Sequence, residues 1–124
     1  MTINFKEYQR QSSNTAIYLT KVLEKYSNLP DEIIKYMGLA YTANGLGEVG
    51  EVQGKIKKIL RDNGGTITNE HRTEIKKEIG DCLWYLAAMC NELQISLQDA
   101  AEENLKKLQS RKERSVLTGS GDNR

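Results

Sequence analysis

The stretch from Gly45 to Leu60 has the pattern of a helix that is interrupted by glycines. Its apolar residues recur at helical spacing, at Val49, Val52, Ile56, Ile59 and Leu60. Four glycines stand in the same stretch, at positions 45, 47, 50 and 54. Because a glycine inside a helix costs about 1 kcal/mol relative to alanine, we expect another helix or a bulky ligand to approach this backbone closely.

Two pairs of carboxylates accompany this pattern. Glu48 and Glu51 are three residues apart and share one helix face, and so do Glu78 and Asp81 in a second helical stretch. If the two faces meet, four carboxylates form one cluster, which repels itself unless cations lie within it. Oxygen ligands select hard cations, so the sequence predicts a site for Mg²⁺, with Mn²⁺ as a substitute.

Helical periodicity extends over most of the chain, and no segment has the alternation of a strand. We expect helices over residues 5–26 and 31–61, with an irregularity near Gly38 or Gly45, and over residues 69–93 and 97–113. This predicts an all-α, four-helix bundle-like protomer with a carboxylate-lined metal site between helices. Residues 1–113 would form a single domain, and residues 114–124 a polar tail that is disordered or lies over a neighbouring subunit.

Composition restricts the partners of the protein. The formal net charge is +1, which recommends neither nucleic acid nor a membrane surface as a partner. No apolar run reaches the length of a membrane span, and residues 1–8 do not resemble a signal peptide. We therefore expect a cytoplasmic protein. Glycine-rich helix faces, Trp84 and a modest core for one chain predict a homodimer or homotetramer.

The spacing of these acids resembles that of a known family. Gly47-Glu48-Val49-Gly50-Glu51 followed by Glu78-Ile79-Gly80-Asp81 is similar to the Glu-x-x-Glu and Glu-x-x-Asp signature of the MazG-like all-α nucleoside triphosphate pyrophosphohydrolases. The resemblance continues through residues 83–86 and into a helix containing Asn104, Lys107 and Arg111, and it covers roughly residues 37–111. Gly47 stands where some members of this family have a further glutamate, so this acidic ligand is either missing here or supplied by Glu74.

The resemblance implies hydrolysis of (deoxy)nucleoside triphosphates between the α- and β-phosphates, giving a monophosphate and pyrophosphate and so controlling the nucleotide pool. The four acids would hold Mg²⁺, and Glu48 or Glu51 would orient or deprotonate the attacking water. Phosphate, sugar and base contacts would come from Lys55, Lys58, Tyr85, Asn104, Lys107 (or Lys106, one register away) and Arg111. Asn14 from a neighbouring subunit and Arg124 from the tail are two further candidates for substrate binding.

Three other functions compete with this hypothesis. A nucleotide hydrolase of the dUTP or dCTP type, acting also on diphosphates, would use the same site. A non-catalytic helical binding module would carry the same acids on a solvated face, and it would not depend on divalent ions. A di-iron bundle requires a histidine three residues after a glutamate, and neither acidic pair has one.

Overall fold

The computed structural model describes residues 2–124, all of whose regular elements are helical. The α-helices are α1 (Phe5–Ser12), α2 (Thr20–Lys25), α3 (Asp31–Gly45), α4 (Val49–Asn63), α5 (Asn69–Leu93) and α6 (Leu97–Glu113). Short 3₁₀ turns at Ser13–Thr15 and Leu46–Glu48 lie between α1 and α2 and between α3 and α4. The prediction of an all-α chain is confirmed.

The count of four helices is wrong, because two of the expected helices are each divided by a 3₁₀ turn. The first divides at Ser13–Thr15, where the Ser12, Ser13 and Thr15 hydroxyls donate to backbone carbonyls three residues earlier and compete with helical bonding. The second divides at Leu46–Glu48, next to the expected irregularity at Gly45. The two later helices begin and end as expected, and Ser96 caps α6 by accepting from the Asp99 N–H.

Helix α5 lies at the centre and packs against α3, α4, α1 and α6. The buried apolar residues are few and mostly small: Ile59 from α4, and Ala87, Ala88 and Cys90 from α5. Thr42 of α3 is also fully buried, and its hydroxyl donates to backbone carbonyls of its own helix. Small side chains at this contact let α3 and α5 approach closely.

Several residues expected in the core are exposed in this protomer. Ile79 and Leu86 of α5 are 54% and 39% exposed, and Leu105 of α6 is 68% exposed. Their helical spacing placed them on an apolar face, but no other element of residues 2–124 covers that face. The sequence pattern correctly predicted that these residues lie on apolar surfaces. It was wrong to place those surfaces in the core of a single protomer.

Gln9 joins the N-terminal helix to the corner between α5 and α6. Its side-chain amide donates to Asn91 Oδ1 at 2.9 Å and to the Ile95 carbonyl at 2.8 Å, and its Oε1 accepts from the Leu97 N–H at 2.9 Å. One side chain of α1 therefore fixes both the end of α5 and the start of α6. Among the described residues, no helix combines the length and apolarity needed to cross a bilayer.

Candidate active site

The 3₁₀ turn between α3 and α4 positions the first acidic pair. Glu48 is the last residue of the turn and Glu51 lies in the first turn of α4. The turn packs on α5, and the ring of Tyr85 occupies the space that a Cβ at Gly45 would need. Close approach is therefore observed at Gly45, whereas a Cβ at position 47, 50 or 54 would meet nothing within 4 Å beyond the adjacent backbone.

The pKa of Tyr85 is affected by one acid of each pair. Interaction with the Tyr41 hydroxyl raises the pKa of Tyr85, and burial and the negative charges of Glu48 and Asp81 raise it further. Burial also raises the pKa of Tyr8, with a contribution from Asp81. Thus one acid from the start of α4 and one from α5 act on the same phenol.

Glu78 is partly shielded, and it has a cation beside it. Its side chain is 20% exposed, and Oε1 lies 3.5 Å from Nζ of Lys55 on α4. Glu74, one turn earlier on α5, lies 3.9 Å from the same ammonium group. Lys55, expected to bind substrate phosphate, is here the counter-ion of the α5 acids.

A four-carboxylate metal site stays a prediction. Among residues 2–124, no three Asp, Glu, His or Cys side chains converge closely enough to hold a metal ion. The donor chemistry nevertheless fits a hard cation, because the acids offer only oxygen ligands and Glu78 already lies beside a positive charge.

Lys58 lies at a cavity that none of the four acids lines. This cavity, of about 220 Å³, opens between the later part of α4 and the start of α5, and its lining includes Lys55, Lys58, His71 and Glu74. His71 also completes the cap of α5: its Nδ1 accepts from the Thr68 N–H, and its own N–H donates to Thr68 Oγ1. Asp62 and Glu74 also line the cavity, so two carboxylates balance the charge of the two lysines, whose ammonium groups remain donors of the kind that bind phosphate.

The predicted residues of α6 have other partners in this protomer. Asn104 is exposed, and the polar contacts of Lys107 and Arg111 are with Asp122 and the backbone of the tail. Arg124 donates to the carbonyls of Gly121 and Leu117, also in the tail. The tail, expected to be disordered or to lie over a neighbouring subunit, instead turns back over its own α6.

An aromatic cluster connects Tyr85 to the 3₁₀ turn that contains Asn14. Tyr18 stacks on Tyr41 with ring centroids 4.6 Å apart, and Trp84 meets Tyr85 edge-on at 5.2 Å. Trp84 Nε1 donates to Thr15 Oγ1 at 2.9 Å. Asn14, next to Thr15, is exposed, so the turn reaches Tyr85 only through Trp84. We call Tyr18, Tyr41, Trp84 and Tyr85 the aromatic cluster.

Tyr8 and Tyr41 were not identified from the sequence, although both lie beside residues that were. Tyr41 precedes Gly45 by four residues, which places it on the helix face that meets Tyr85. That spacing was available in the sequence. The approach of Tyr8 to Asp81 could not be predicted from the sequence, because it depends on how α1 packs on α5.

Comparisons with known proteins identify the family of the chain. A model of the MazG nucleotide pyrophosphohydrolase domain matches residues 38–116, which contain both acidic pairs, Tyr85 and all of α6. The Gene 37 protein of Mycobacterium phage L5 is 45% identical over 118 residues, which cover 94% of this chain and 96% of the phage protein. No solved structure matches the chain significantly. The chain belongs to the MazG nucleotide pyrophosphohydrolase family.

Proposed function

We propose that the protein hydrolyses (deoxy)nucleoside triphosphates between the α- and β-phosphates, releasing a nucleoside monophosphate and pyrophosphate. The observation that carries this proposal is the match of residues 38–116, which contain all four acids, to the MazG nucleotide pyrophosphohydrolase domain. In the structure, the negative charges of Glu48 and Asp81 both raise the pKa of Tyr85, and Glu51 and Glu78 each lie three residues from one of them in the sequence. We further propose that the reaction takes place in the cytoplasm and limits the nucleotide pool.

We propose Glu48, Glu51, Glu78 and Asp81 as the residues that hold Mg²⁺ or Mn²⁺. A divalent ion at this site supplies the charge that neutralises the phosphate oxygens during phosphoryl transfer. Glu48 or Glu51 would orient the attacking water and accept its proton. Water attacks the α-phosphorus, the bond from the α-phosphorus to the bridging oxygen breaks, and pyrophosphate leaves with that oxygen.

The remaining polar residues would hold the substrate. Lys55 and Lys58 lie at the cavity beside the α5 acids, and we assign them to the phosphates. Lys107 and Arg111 of α6 would add further phosphate contacts once they separate from the tail. Tyr85 and Asn104 would contact the sugar or the base, and Asn14 would reach the base from a neighbouring subunit.

The exposed surface supports assembly into a dimer or tetramer. The chain exposes 9400 Å², whereas a monomeric protein of 14.0 kDa typically exposes about 6,700 Å². The excess is at least the roughly 1,000–2,500 Å² that a protomer buries in an obligate interface. Large apolar residues such as Ile17, Leu60 and Leu105 are among the exposed ones. We therefore expect sedimentation to give two or four times the mass of the chain, with a melting temperature that falls on dilution.

The experiment that tests the activity is pyrophosphate release from a panel of canonical and modified nucleoside triphosphates and diphosphates, with Mg²⁺ and with a chelator. Glu51→Gln should lower kcat at least about a hundredfold, because it removes a proton acceptor and a ligand charge. Glu24→Gln, an exposed acid of α2, is the matched control and should leave kcat unchanged.

Two alternatives remain distinguishable in the same assay. Release of phosphate from dUDP or dCDP would favour the enzyme type that also takes diphosphates. A non-catalytic module is favoured by the absence of any converging trio of metal ligands among residues 2–124. It predicts no hydrolysis and no rise in melting temperature with Mg²⁺.

A further inference from the structure

The tail closes over one arginine of α6. Arg111 is only 5% exposed, although the surrounding part of α6 is exposed. Its Nη2 donates to the Asp122 carbonyl at 2.9 Å, to Asp122 Oδ1 at 3.2 Å and to the Gly121 carbonyl at 3.4 Å. All the side-chain hydrogen bonds of this buried arginine are thus with residues that follow it in the chain.

The same carboxylate also holds a second cation. Lys107 lies four residues before Arg111, on the same face of α6, and its Nζ is 3.2 Å from Asp122 Oδ1. These two cations lower the pKa of Asp122, the lysine contributing most. One exposed carboxylate therefore pairs with two positive charges. Two cations side by side suit an anion that carries more negative charge than a single carboxylate.

The backbone of the tail forms turns that bring it back over α6. Ser115, Gly119 and Gly121 have positive φ angles of 57°, 108° and 85°, and for serine this conformation is uncommon. Arg114 Nη2 donates to the Arg124 carbonyl at 3.0 Å, so a second arginine of the α6 end holds the far part of the tail. The return is a specific set of turns and bonds.

Arg111 keeps a donor unused inside this arrangement. Its Nε is buried and has no hydrogen-bond partner, while a single terminal nitrogen makes all three bonds to the tail. A guanidinium group normally presents two parallel N–H donors to a carboxylate or a phosphate. Asp122 leaves this two-donor edge incomplete, and an oxyanion with more acceptor oxygens would complete it.

We propose that Asp122 occupies a phosphate site formed by Lys107 and Arg111, so that the tail competes with the polyphosphate group of the substrate for these two residues. This inference rests on the proposed function. Substrate binding then requires the tail to leave α6, and the apparent affinity is reduced by the fraction of molecules in which the tail is closed.

The test is the Asp122→Asn variant of the full chain, compared with Glu103→Gln. Both variants remove one negative charge, and Glu103 is an exposed residue of α6 that does not belong to the proposed site. With the preferred triphosphate, Asp122→Asn should lower KM by about two- to tenfold and leave kcat unchanged, since it weakens a surface ion pair that closes the tail. Glu103→Gln should give the wild-type KM. A KM for Asp122→Asn that equals or exceeds that of Glu103→Gln would overturn the proposal.

A binding measurement separates this inference from the hydrolysis reaction. Titration calorimetry with inorganic tripolyphosphate, without a divalent ion, should show tighter binding to Asp122→Asn than to Glu103→Gln. The difference should vanish when Lys107→Gln and Arg111→Lys are added to both variants. If no triphosphate is hydrolysed but this pattern holds, the proposed function fails and the phosphate site stands. If hydrolysis is observed and both variants bind tripolyphosphate equally, the tail has only a structural role.

Discussion

The two ends of the glycine-containing segment have different surroundings. At Gly45, the Tyr85 ring occupies the space beside the backbone, and the aromatic cluster continues from there through Trp84 to Thr15 in the 3₁₀ turn that follows α1. At Gly47, Gly50 and Gly54, which we call the glycine face, an added Cβ would meet no atom within 4 Å beyond the adjacent backbone. The chain packs against its own backbone at Gly45 and leaves the backbone of the glycine face uncovered.

This difference shows which packing contacts a single protomer can make by itself. The aromatic cluster joins elements of one chain, and its polar atoms have partners within that chain. The glycines of the glycine face lower the helix propensity, and no intrachain contact compensates for this loss. A second subunit or a substrate at this face would explain why glycine stands there, and the following experiments measure the contrast directly.

The largest expected difference is between Gly45→Ala and Gly54→Ala. At position 45 the new methyl group collides with the Tyr85 ring, so overpacking outweighs the gain in helix propensity. We expect the free energy of unfolding to fall by about 2 kcal/mol. At position 54 the methyl group meets open space, and the variant should gain up to about 1 kcal/mol. Urea denaturation measures both, and a loss at both positions would mean that the glycine face is covered in solution.

A smaller difference is expected between two tyrosines. The Tyr18 hydroxyl donates to Glu92, whereas Tyr36 is 60% exposed. Tyr18→Phe should lower the free energy of unfolding by about 1 kcal/mol, because the carboxylate of Glu92 loses its donor. Tyr36→Phe should change it by less than about 0.5 kcal/mol. Equal effects in chemical denaturation would show that the aromatic cluster is no better ordered than the surface.

The smallest effect should come from an exposed pair on α1, outside both regions. Hydrogen bonds from Arg10 and then Gln11 lower the pKa of Glu7 to about 2. Because the folded-state pKa lies below the unfolded one, the contribution is present above the ordinary value of 4.5 and is lost as the pH falls towards 2. The stability difference between the wild type and Glu7→Gln should therefore shrink over this range, and it should also decrease in high salt. If the stability difference does not depend on pH, its cause is something other than the charge of Glu7.

Local patterns predicted the helices well, since their signals lie within a few residues. Ser96 caps α6 as expected, and the division near Gly45 follows from glycine in a helix. Burial was predicted less well. Ile79 and Leu105 have the correct period for a core, but period does not tell which apolar face meets its own chain.

The candidate site shows the same limit. Helical spacing placed each acidic pair on one helix face and left open whether the two faces meet, whereas in the structure the pKa of Tyr85 responds to both Glu48 and Asp81. The pairing of Lys55 with Glu78 and that of Arg111 with Asp122 could not be predicted. Each depends on the path of the chain through a turn, where a change of one residue redirects a long side chain.

The hydrogen bonds of Gln9 have a consequence for the order in which the chain folds. Their partners lie 82 to 88 residues further along the sequence, so α1 cannot make these bonds until nearly the whole of α5 has been synthesised. A short helix of this kind is marginal by itself, and its docking has to wait for the loop at Ile95. We therefore expect nascent chains that end before residue 91 to leave α1 undocked, and the docking of α1 to report that α5 is complete and α6 has begun.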